Sequence, residues 1–137
     1  MDNKLLIEEA KKARLMSYAP YSHFCVGAAL LTKSGKIYHG CNIENAAYSP
    51  TNCAERTAFF KAVSEGERTF AKIAIVGGKE GEEPMQTCAP CGVCRQVMLE
   101  FCQKDSFGVV LMDEQGEPME ILLKDLIPWG FGPDNLK

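Results

Sequence analysis

The sequence lacks the features that mark membrane, secreted and nucleic-acid-binding proteins. No apolar run approaches the roughly 20 residues that a helix needs to cross a bilayer. The first residues mix Lys and Glu with Leu and Ile, and they lack the apolar stretch of a secretory signal. Lys and Arg are scattered and the net charge is −3, so no concentrated positive face is available to neutralise phosphates. We therefore expect a cytoplasmic protein with neither a nucleic-acid nor a membrane partner.

Histidine is scarce and cysteine is abundant. The chain holds two histidines and seven cysteines. An odd number of cysteines fits poorly with a closed disulfide framework, and the cytosol keeps thiols reduced. His23 and His39 have no ligand-like spacing, and we interpret them as surface or hairpin residues. The cysteines are thus expected to serve a metal site or catalysis.

The length and the hydrophobic pattern predict one α/β domain over residues 1–137. At 137 residues and 46% hydrophobic composition, the chain is long enough to bury one core. The predicted order of elements is α-β-β-α-β-α-β-β. Helices that alternate with strands favour a three-layer α/β/α fold with a mixed five-stranded sheet. The first two strands should be antiparallel, and the middle β-α-β-α-β part should be parallel.

Three predicted helices frame the strands. The first covers about residues 3–18, with either Met16 or Tyr18 on its apolar face. The second lies in "TNCAERTAFFKAVSEG", with Thr51 or Asn52 as its N-cap. The third opens at Pro90 in "PCGVCRQVMLEFC". Both of the later helices follow strands of like direction, so their N-termini should meet at one edge of the sheet.

Three cysteines are predicted to meet at that edge. Cys91 and Cys94 are three residues apart in the first turn of one helix, and Cys53 lies in the first turn of the other. Helix N-termini stabilise thiolates because their backbone N–H groups carry partial positive charge. Three protein ligands with one open position are the pattern of a catalytic zinc ion.

Two residues beside Cys53 favour catalysis over a purely structural metal. Glu55 can take a proton from a zinc-bound water and can later donate it, as base and acid in turn. Arg56 can donate to a ligand sulfur, which offsets the net charge of −1 on zinc with three thiolates. The joint pattern Cys-Ala-Glu and Pro-Cys-Gly-Val-Cys matches the zinc signature of nucleobase deaminases.

Other readings of the cysteines remain open at this point. The C-x-x-C pair alone also suits a thioredoxin-like redox site. A structural zinc could be closed by a fourth cysteine, either Cys88 or Cys41, in a non-catalytic interaction module. We interpret Cys88 as a bystander. The remaining cysteines are interpreted as small buried apolar residues, namely Cys25, Cys41 and Cys102.

The stretches "YSHFCVGAAL", "GCNIENAAYSPTNCAERTA" and "PCGVCRQVM" resemble the short, homotetrameric type of cytidine deaminase. The resemblance extends to the tail "LIPWGFGPDNL" and covers nearly the whole chain. It implies one Zn²⁺ per subunit and hydrolysis of cytidine and deoxycytidine to uridine and deoxyuridine plus ammonia, in pyrimidine salvage. It also implies a homotetramer with sites at subunit interfaces. A blasticidin-type small-molecule deaminase is the nearest alternative, and a nucleic-acid-editing deaminase would need a basic groove.

The same resemblance implies contacts with a nucleoside. Phe24 would pack against the pyrimidine, and Asn42 and Glu44 would hold the ribose hydroxyl. Because a carboxylate also repels phosphate, Glu44 predicts a free nucleoside substrate. Backbone groups of Ala54 and Ala89 would read the amide and amino groups of the base.

Two aromatic residues are implied to reach a neighbouring subunit's site, namely Tyr48 and Phe131. The sequence also departs from the family pattern in two places. The Gly77–Ala89 connection is longer than usual, which bears on the rim of the site or on a subunit contact. Ala89 stands where Ser or Thr is common, and we expect little effect because the backbone carbonyl is the group used.

Overall fold

The computed structural model describes residues 1–84 and 87–137. Met85 and Gln86, within the long connection, lie outside the described residues. The elements, in chain order, are α1 (Asn3–Arg14), β1 (Phe24–Thr32), β2 (Ile37–Cys41), α2 (Ala54–Ser64), β3 (Phe70–Lys79), α3 (Gly92–Phe101), β4 (Gly108–Met112), β5 (Pro118–Leu122), α4 (Leu123–Leu126) and a 3₁₀ helix (Pro133–Leu136). No helix in these two ranges has the length and apolar character needed to span a membrane.

The strands form one mixed five-stranded sheet in the order β2-β1-β3-β4-β5. β1 pairs antiparallel with both β2 and β3, β3 pairs parallel with β4, and β5 is antiparallel to β4. β2, β3 and β4 therefore run in the same direction, although β1 separates β2 from β3. The α/β class and the mixed five-stranded sheet are confirmed.

Helices cover both faces of the sheet, which gives the three layers that the sequence predicts. On one face, Leu6, Ile7 and Ala10 of α1 pack in a cluster that includes Leu31 of β1 and Val76 of β3. On the other face, Phe59 of α2 and Met98 of α3 are fully buried in a second cluster with the inward side chains of the strands. On each face the packing removes a contiguous apolar surface from water. Such burial stabilises the fold by about 25 cal/mol for each Å² of apolar surface.

Glycine lets two helices approach the sheet closely. A Cβ atom built on Gly40 of β2 would lie 2.6 Å from the backbone nitrogen of Ala58 in α2. A Cβ on Gly27 of β1 would lie 2.7 Å from the Cβ of Arg14 in α1. Neither gap admits a side chain. The contact at Gly40 fixes the height of α2 and hence the position of the residues at its N-terminus.

Three predicted boundaries are wrong. α3 begins at Gly92, with Cys91 as its N-cap, rather than at Pro90. α1 ends at Arg14, and Met16 beyond it is 77% exposed rather than part of an apolar face. The N-cap of α2 is Cys53, not Thr51 or Asn52. Asn52 instead exchanges backbone hydrogen bonds with Ile43, at 2.9 Å in each direction. That pairing holds the chain in an extended path up to the cysteine.

Candidate active site

Three cysteine sulfurs converge at the N-termini of α2 and α3. Cys53 is the N-cap of α2 and Cys91 is the N-cap of α3, both with extended backbone angles. Cys94 is the third residue of α3 and is buried. The Sγ atoms of Cys53 and Cys91 are 3.7 Å apart, and those of Cys91 and Cys94 are 3.5 Å apart. The edge position follows from β2 and β3 running in the same direction.

The cluster has the size and chemistry of a zinc site. All three sulfurs lie within 4.8 Å of one another. A tetrahedral zinc ion with Zn–S bonds of about 2.3 Å places its sulfurs about 3.8 Å apart, which matches the observed separations. Cys88 and Cys41 are not members of the cluster, so neither supplies a fourth sulfur to it. Within the described ranges no other group of three potential ligands meets the same criterion.

The surroundings of the cluster lower the pKa of Cys53 and raise that of Cys94. Hydrogen bonding from Cys94 lowers the pKa of Cys53 to about 5, with further help from Arg56 and Cys91. The same hydrogen bond to Cys53, together with burial, raises the pKa of the Cys94 thiol. The lowered pKa favours the thiolate form of Cys53, which is the form that a metal binds.

Arg56 supplies a positive charge next to this sulfur. Its Nη2 atom lies 3.3 Å from Cys53 Sγ. Its Nε atom is buried and has no hydrogen-bond partner among the described residues. The guanidinium is thus held beside the thiolate at some cost in solvation, which fits a role in balancing the charge of the cluster.

Glu55 is the single buried carboxylate in the described part of the chain. It is 5% exposed and lies in the first turn of α2, two residues after Cys53. Burial raises its pKa to about 7, and the charge of Cys53 acts in the same direction. A carboxyl group with a pKa near neutrality can both accept and donate a proton at working pH.

Asn42 is buried and fixes the start of β1. Its Oδ1 atom accepts from the backbone nitrogen of Val26 at 2.9 Å, and its Nδ2 atom donates to the carbonyl of Phe24 at 2.8 Å. The ring of Phe24 is half-buried. The side chain of Asn42 is therefore bound to the backbone of Phe24, so the two residues are neighbours, as contacts with one nucleoside would require.

Glu44 organises the loop before β1. Its carboxylate accepts from the backbone nitrogens of Tyr21 at 2.9 Å and Ser22 at 3.1 Å, and from the Ser22 hydroxyl. The hydrogen bond from Ser22 is the main reason that the pKa of Glu44 lies below its ordinary value. Glu44, Tyr21 and Ser22 line an open groove with Tyr48 and Thr51.

The remaining predicted residues fall in different places. Ala54 is buried as the first residue of α2, where backbone N–H groups lack intrahelical partners. Ala89 is exposed just before Pro90. Tyr48 is 71% exposed and shares the groove with Glu44. Phe131 is 60% exposed and lines a separate groove with Gln96 and Glu100, so the structure does not bring it to the metal cluster within one chain.

The histidines lie apart from the cluster. His23 is exposed, and its Nδ1 atom is 3.2 Å from Glu80 Oε2. His39 Nε2 is 2.8 Å from Glu9 Oε1 on α1. Each ring thus has a carboxylate neighbour on the surface rather than a place among the sulfurs.

Cys88 and Gly77 lie near the site, although the sequence analysis predicted no role there for either residue. A Cβ built on Gly77 would lie 2.6 Å from Cys88 Sγ and 3.0 Å from Cε1 of Phe24. Burial raises the pKa of Cys88 to about 11, with contributions from the charges of Glu55 and Cys53. Cys88 is therefore a half-buried thiol that lies, like the Phe24 ring, against Gly77. The spacing of three residues between Cys88 and Cys91 was the sequence signal that could have placed Cys88 near the site.

Comparisons with known proteins agree with this geometry. The family model described as "Cytidine and deoxycytidylate deaminase zinc-binding region" matches residues 1–112. A protein named cytidine deaminase from Sporosarcina psychrophila is 54% identical over 136 residues, covering 99% of this chain and 96% of the relative. Blasticidin-S deaminase from Bacillus cereus is 33% identical over 126 residues, covering 90% of this chain and 87% of the relative.

A solved structure shares the fold. The crystal structure of cytidine deaminase from Burkholderia pseudomallei superposes with a TM-score of 0.85 at 51% identity, covering 96% of this chain and all of the other. The family is zinc-binding, and three sulfurs are positioned here to bind a metal ion. The chain is therefore an enzyme of the cytidine and deoxycytidylate deaminase family.

Proposed function

We propose that this protein hydrolyses cytidine and deoxycytidine to uridine and deoxyuridine plus ammonia, as a cytoplasmic enzyme of pyrimidine salvage. The observation that carries the proposal is the pairing of a buried acid, Glu55, with a cluster of three sulfurs. Three sulfurs leave one corner of a tetrahedral zinc for a water molecule. The relative with 54% identity, which is named cytidine deaminase, supports the choice of substrate.

Glu55 carries the proton transfers in this proposal. Zinc held by Cys53, Cys91 and Cys94 would lower the pKa of a water molecule toward neutrality. The Glu55 carboxylate accepts a proton from the attacking water and delivers it to the ring nitrogen beside the amino-bearing carbon. It then moves the second proton to the amino group, which leaves as ammonia. Burial of Glu55 keeps its pKa near 7, which suits both directions of transfer.

The proposed substrate contacts are those that the family resemblance implies. Phe24 packs against the pyrimidine, and backbone groups of Ala54 and Ala89 read the edge of the base. Asn42 and Glu44 hold the ribose, and the negative charge of Glu44 disfavours a 5′-phosphate. The hydrogen bonds of Asn42 to Val26 and Phe24, and of Glu44 to Tyr21 and Ser22, support fixed positions for these two side chains.

We further propose a homotetramer in which aromatic side chains complete a neighbouring subunit's site. Tyr48 and Phe131 are both exposed, and Phe131 lies in a groove apart from Glu44. A ring that is exposed in one chain is available to a neighbour. The assembly would also shield the nucleoside from bulk water.

A deaminase of the blasticidin type is the second candidate. The 33% identity to blasticidin-S deaminase over most of both chains supports blasticidin S as an alternative substrate. The test is the rate of ultraviolet absorbance change with cytidine, deoxycytidine and blasticidin S, at matched concentrations of zinc-loaded protein. A higher kcat/KM for blasticidin S than for either nucleoside would transfer the proposal to that substrate.

Glu55→Gln tests the mechanism. The amide keeps the shape of the side chain and cannot relay protons, so we expect cytidine turnover to fall by about 10²- to 10⁴-fold. Zinc content by elemental analysis should stay at one per chain. Glu114→Gln, in the exposed turn before β5, is the matched control. Normal turnover by Glu55→Gln would show that Glu55 is not the proton carrier.

Removal of the metal separates the enzyme from a non-catalytic zinc module. A chelator should abolish turnover, and added Zn²⁺ should restore it. Full turnover by protein that elemental analysis shows to be free of transition metals would exclude the proposed mechanism.

A further inference from the structure

One arginine side chain joins the metal-ligand turn to the C-terminal segment. Arg95 lies on α3, directly after the ligand Cys94. Its Nε atom donates to the carbonyl of Pro90 at 2.8 Å, and its Nη1 atom donates to the carbonyl of Leu126 at 2.8 Å. Pro90 immediately precedes Cys91, and Leu126 is the last residue of α4. The guanidinium thus connects the two segments.

The next residue holds the far end of the same segment. Gln96 Nε2 donates to the carbonyl of Phe131 at 2.7 Å. The segment 126–131 is therefore attached to α3 at both of its ends, through side chains adjacent in sequence. Between these two points the chain includes Trp129, which has a positive φ of 59° and is fully exposed. Leu126 and Ile127 pack against the core, and the side-chain hydrogen bonds that attach the two ends of the segment come from Arg95 and Gln96.

We propose that Arg95 and Gln96 are positioning residues that fix the Cys91 turn and the Phe131 segment relative to each other. The proposal rests on the proposed function in taking Cys91 as a zinc ligand and Phe131 as a substrate contact. Arg95 acts on both segments, whereas Gln96 acts on the C-terminal segment alone. Neither residue is a catalytic residue, because neither touches the reacting atoms.

The chemistry of the two carbonyls requires an arginine. The Pro90 carbonyl belongs to the peptide group that carries the N–H of Cys91, so the hydrogen bond from Arg95 orients the peptide that leads into this ligand. A guanidinium donates in two directions from one rigid plane, whereas a lysine ammonium on a flexible stem does not reproduce this fork. Groups that orient a metal ligand through its backbone or ring commonly change metal affinity by about 10- to 100-fold when they are removed.

The test compares Arg95→Lys and Gln96→Ala with a matched control. Arg68 also donates to two carbonyls, those of Val63 and Glu67 at 2.8 Å each, at the end of α2 and away from both segments. Arg68→Lys therefore controls for the loss of an arginine that bridges two carbonyls. The rate of zinc transfer to a chromogenic chelator measures zinc release from the metal site. Fluorescence anisotropy of Trp129, the one tryptophan of the chain, measures the mobility of the C-terminal segment.

The proposal gives each variant its own signature. Arg95→Lys should release zinc at least about tenfold faster than the parent protein and should lower the anisotropy of Trp129. Gln96→Ala should lower the anisotropy and raise KM for cytidine with little change in kcat, while zinc release stays within about twofold. Arg68→Lys should leave zinc release and anisotropy unchanged. Cobalt(II) substitution should show an altered thiolate charge-transfer band in Arg95→Lys only.

Two results would overturn the proposal. One is parental zinc release by Arg95→Lys, and the other is parental anisotropy in Gln96→Ala, whose side chain lies on the exposed surface and does not endanger folding. Zinc release and anisotropy are measured without substrate. A protein that fails to deaminate cytidine but shows both signatures would retract the proposed function and leave the positioning roles in place.

Discussion

Arg56 contacts the sulfur of Cys53 through Nη2 at 3.3 Å, so a permanent cation lies next to the thiol whose pKa is lowered to about 5. A charge-assisted hydrogen bond of this kind contributes about 1.5–3 kcal/mol. Both residues come from the first turns of α2, and the separation of three in sequence places them on one face of the helix. The contact links the electrostatics of the metal site to a single substitution.

Arg56→Gln should weaken catalysis without emptying the site. The amide leaves the charge of the three sulfurs uncompensated, so we expect kcat to fall about 10- to 100-fold, in line with the loss of one such hydrogen bond. Steady-state kinetics and zinc analysis are the measurements, with Arg68→Gln as control. An unchanged kcat with full zinc content would rule out a charge-balancing role.

Gly77→Ala should disturb the pocket through Cys88 and Phe24. The added methyl would lie 2.6 Å from Cys88 Sγ and 3.0 Å from the Phe24 ring, and such overpacking costs about 1–3 kcal/mol. We expect lower stability in urea unfolding and a lower kcat/KM. Adding Cys88→Ala removes the closest atom and should recover at least half of the lost stability. Additive effects of the two substitutions would contradict this contact.

Ser22→Ala should make the free energy of unfolding less dependent on pH under acidic conditions. The Ser22 hydroxyl lowers the folded-state pKa of Glu44, so the carboxylate contributes stability that is present above the unfolded-state pKa. That contribution is lost as the pH falls through the folded-state pKa. Urea unfolding should show a smaller loss of stability on acidification in Ser22→Ala than in the parent protein. The titration of Glu44, followed by carboxyl NMR, should shift upward toward 4.5. An unmoved titration would refute this account.

Phe131→Ala should raise KM for cytidine in an assembly of unchanged size. The side chain is 60% exposed in its own chain, so its removal leaves the core intact. Kinetics together with size-exclusion chromatography and light scattering make the comparison. Leu15→Ala, which truncates an exposed apolar residue just after α1, is the control. Identical kinetics for Phe131→Ala and the parent would remove Phe131 from the site.

The order of elements and the edge where the cysteines meet were predictable because both follow from short-range patterns. Hydrophobic periodicity marks the strands and helices, and helices that follow parallel strands begin at one edge. The end of α1 was not predictable in this way. Leu15 and Met16 continue the apolar pattern, but Arg14 donates to the carbonyls of Cys25, Lys79 and Glu82. These long-range bonds fix where the helix stops.

The surroundings of the site were harder to predict than its ligands. The cysteine spacing identifies Cys91 and Cys94, whereas the link from Arg95 to Leu126 joins residues 31 apart. The groove beside Glu44 likewise depends on Ser22, whose hydroxyl contact spans a separation of 22. No local pattern encodes such pairs, because their geometry exists only after the sheet has formed.

β1 lies between β2 and β3, the strands that lead to α2 and α3. The cysteines of the cluster therefore come from the two sides of a strand that contributes no ligand. A metal ion held by Cys53 and Cys91 would cross-link segments 38 residues apart. Metal affinity and folding free energy are then thermodynamically linked. Protein produced in zinc-depleted medium should unfold at a lower temperature than zinc-loaded protein. Zinc supply would then affect the stability of this enzyme as well as its turnover.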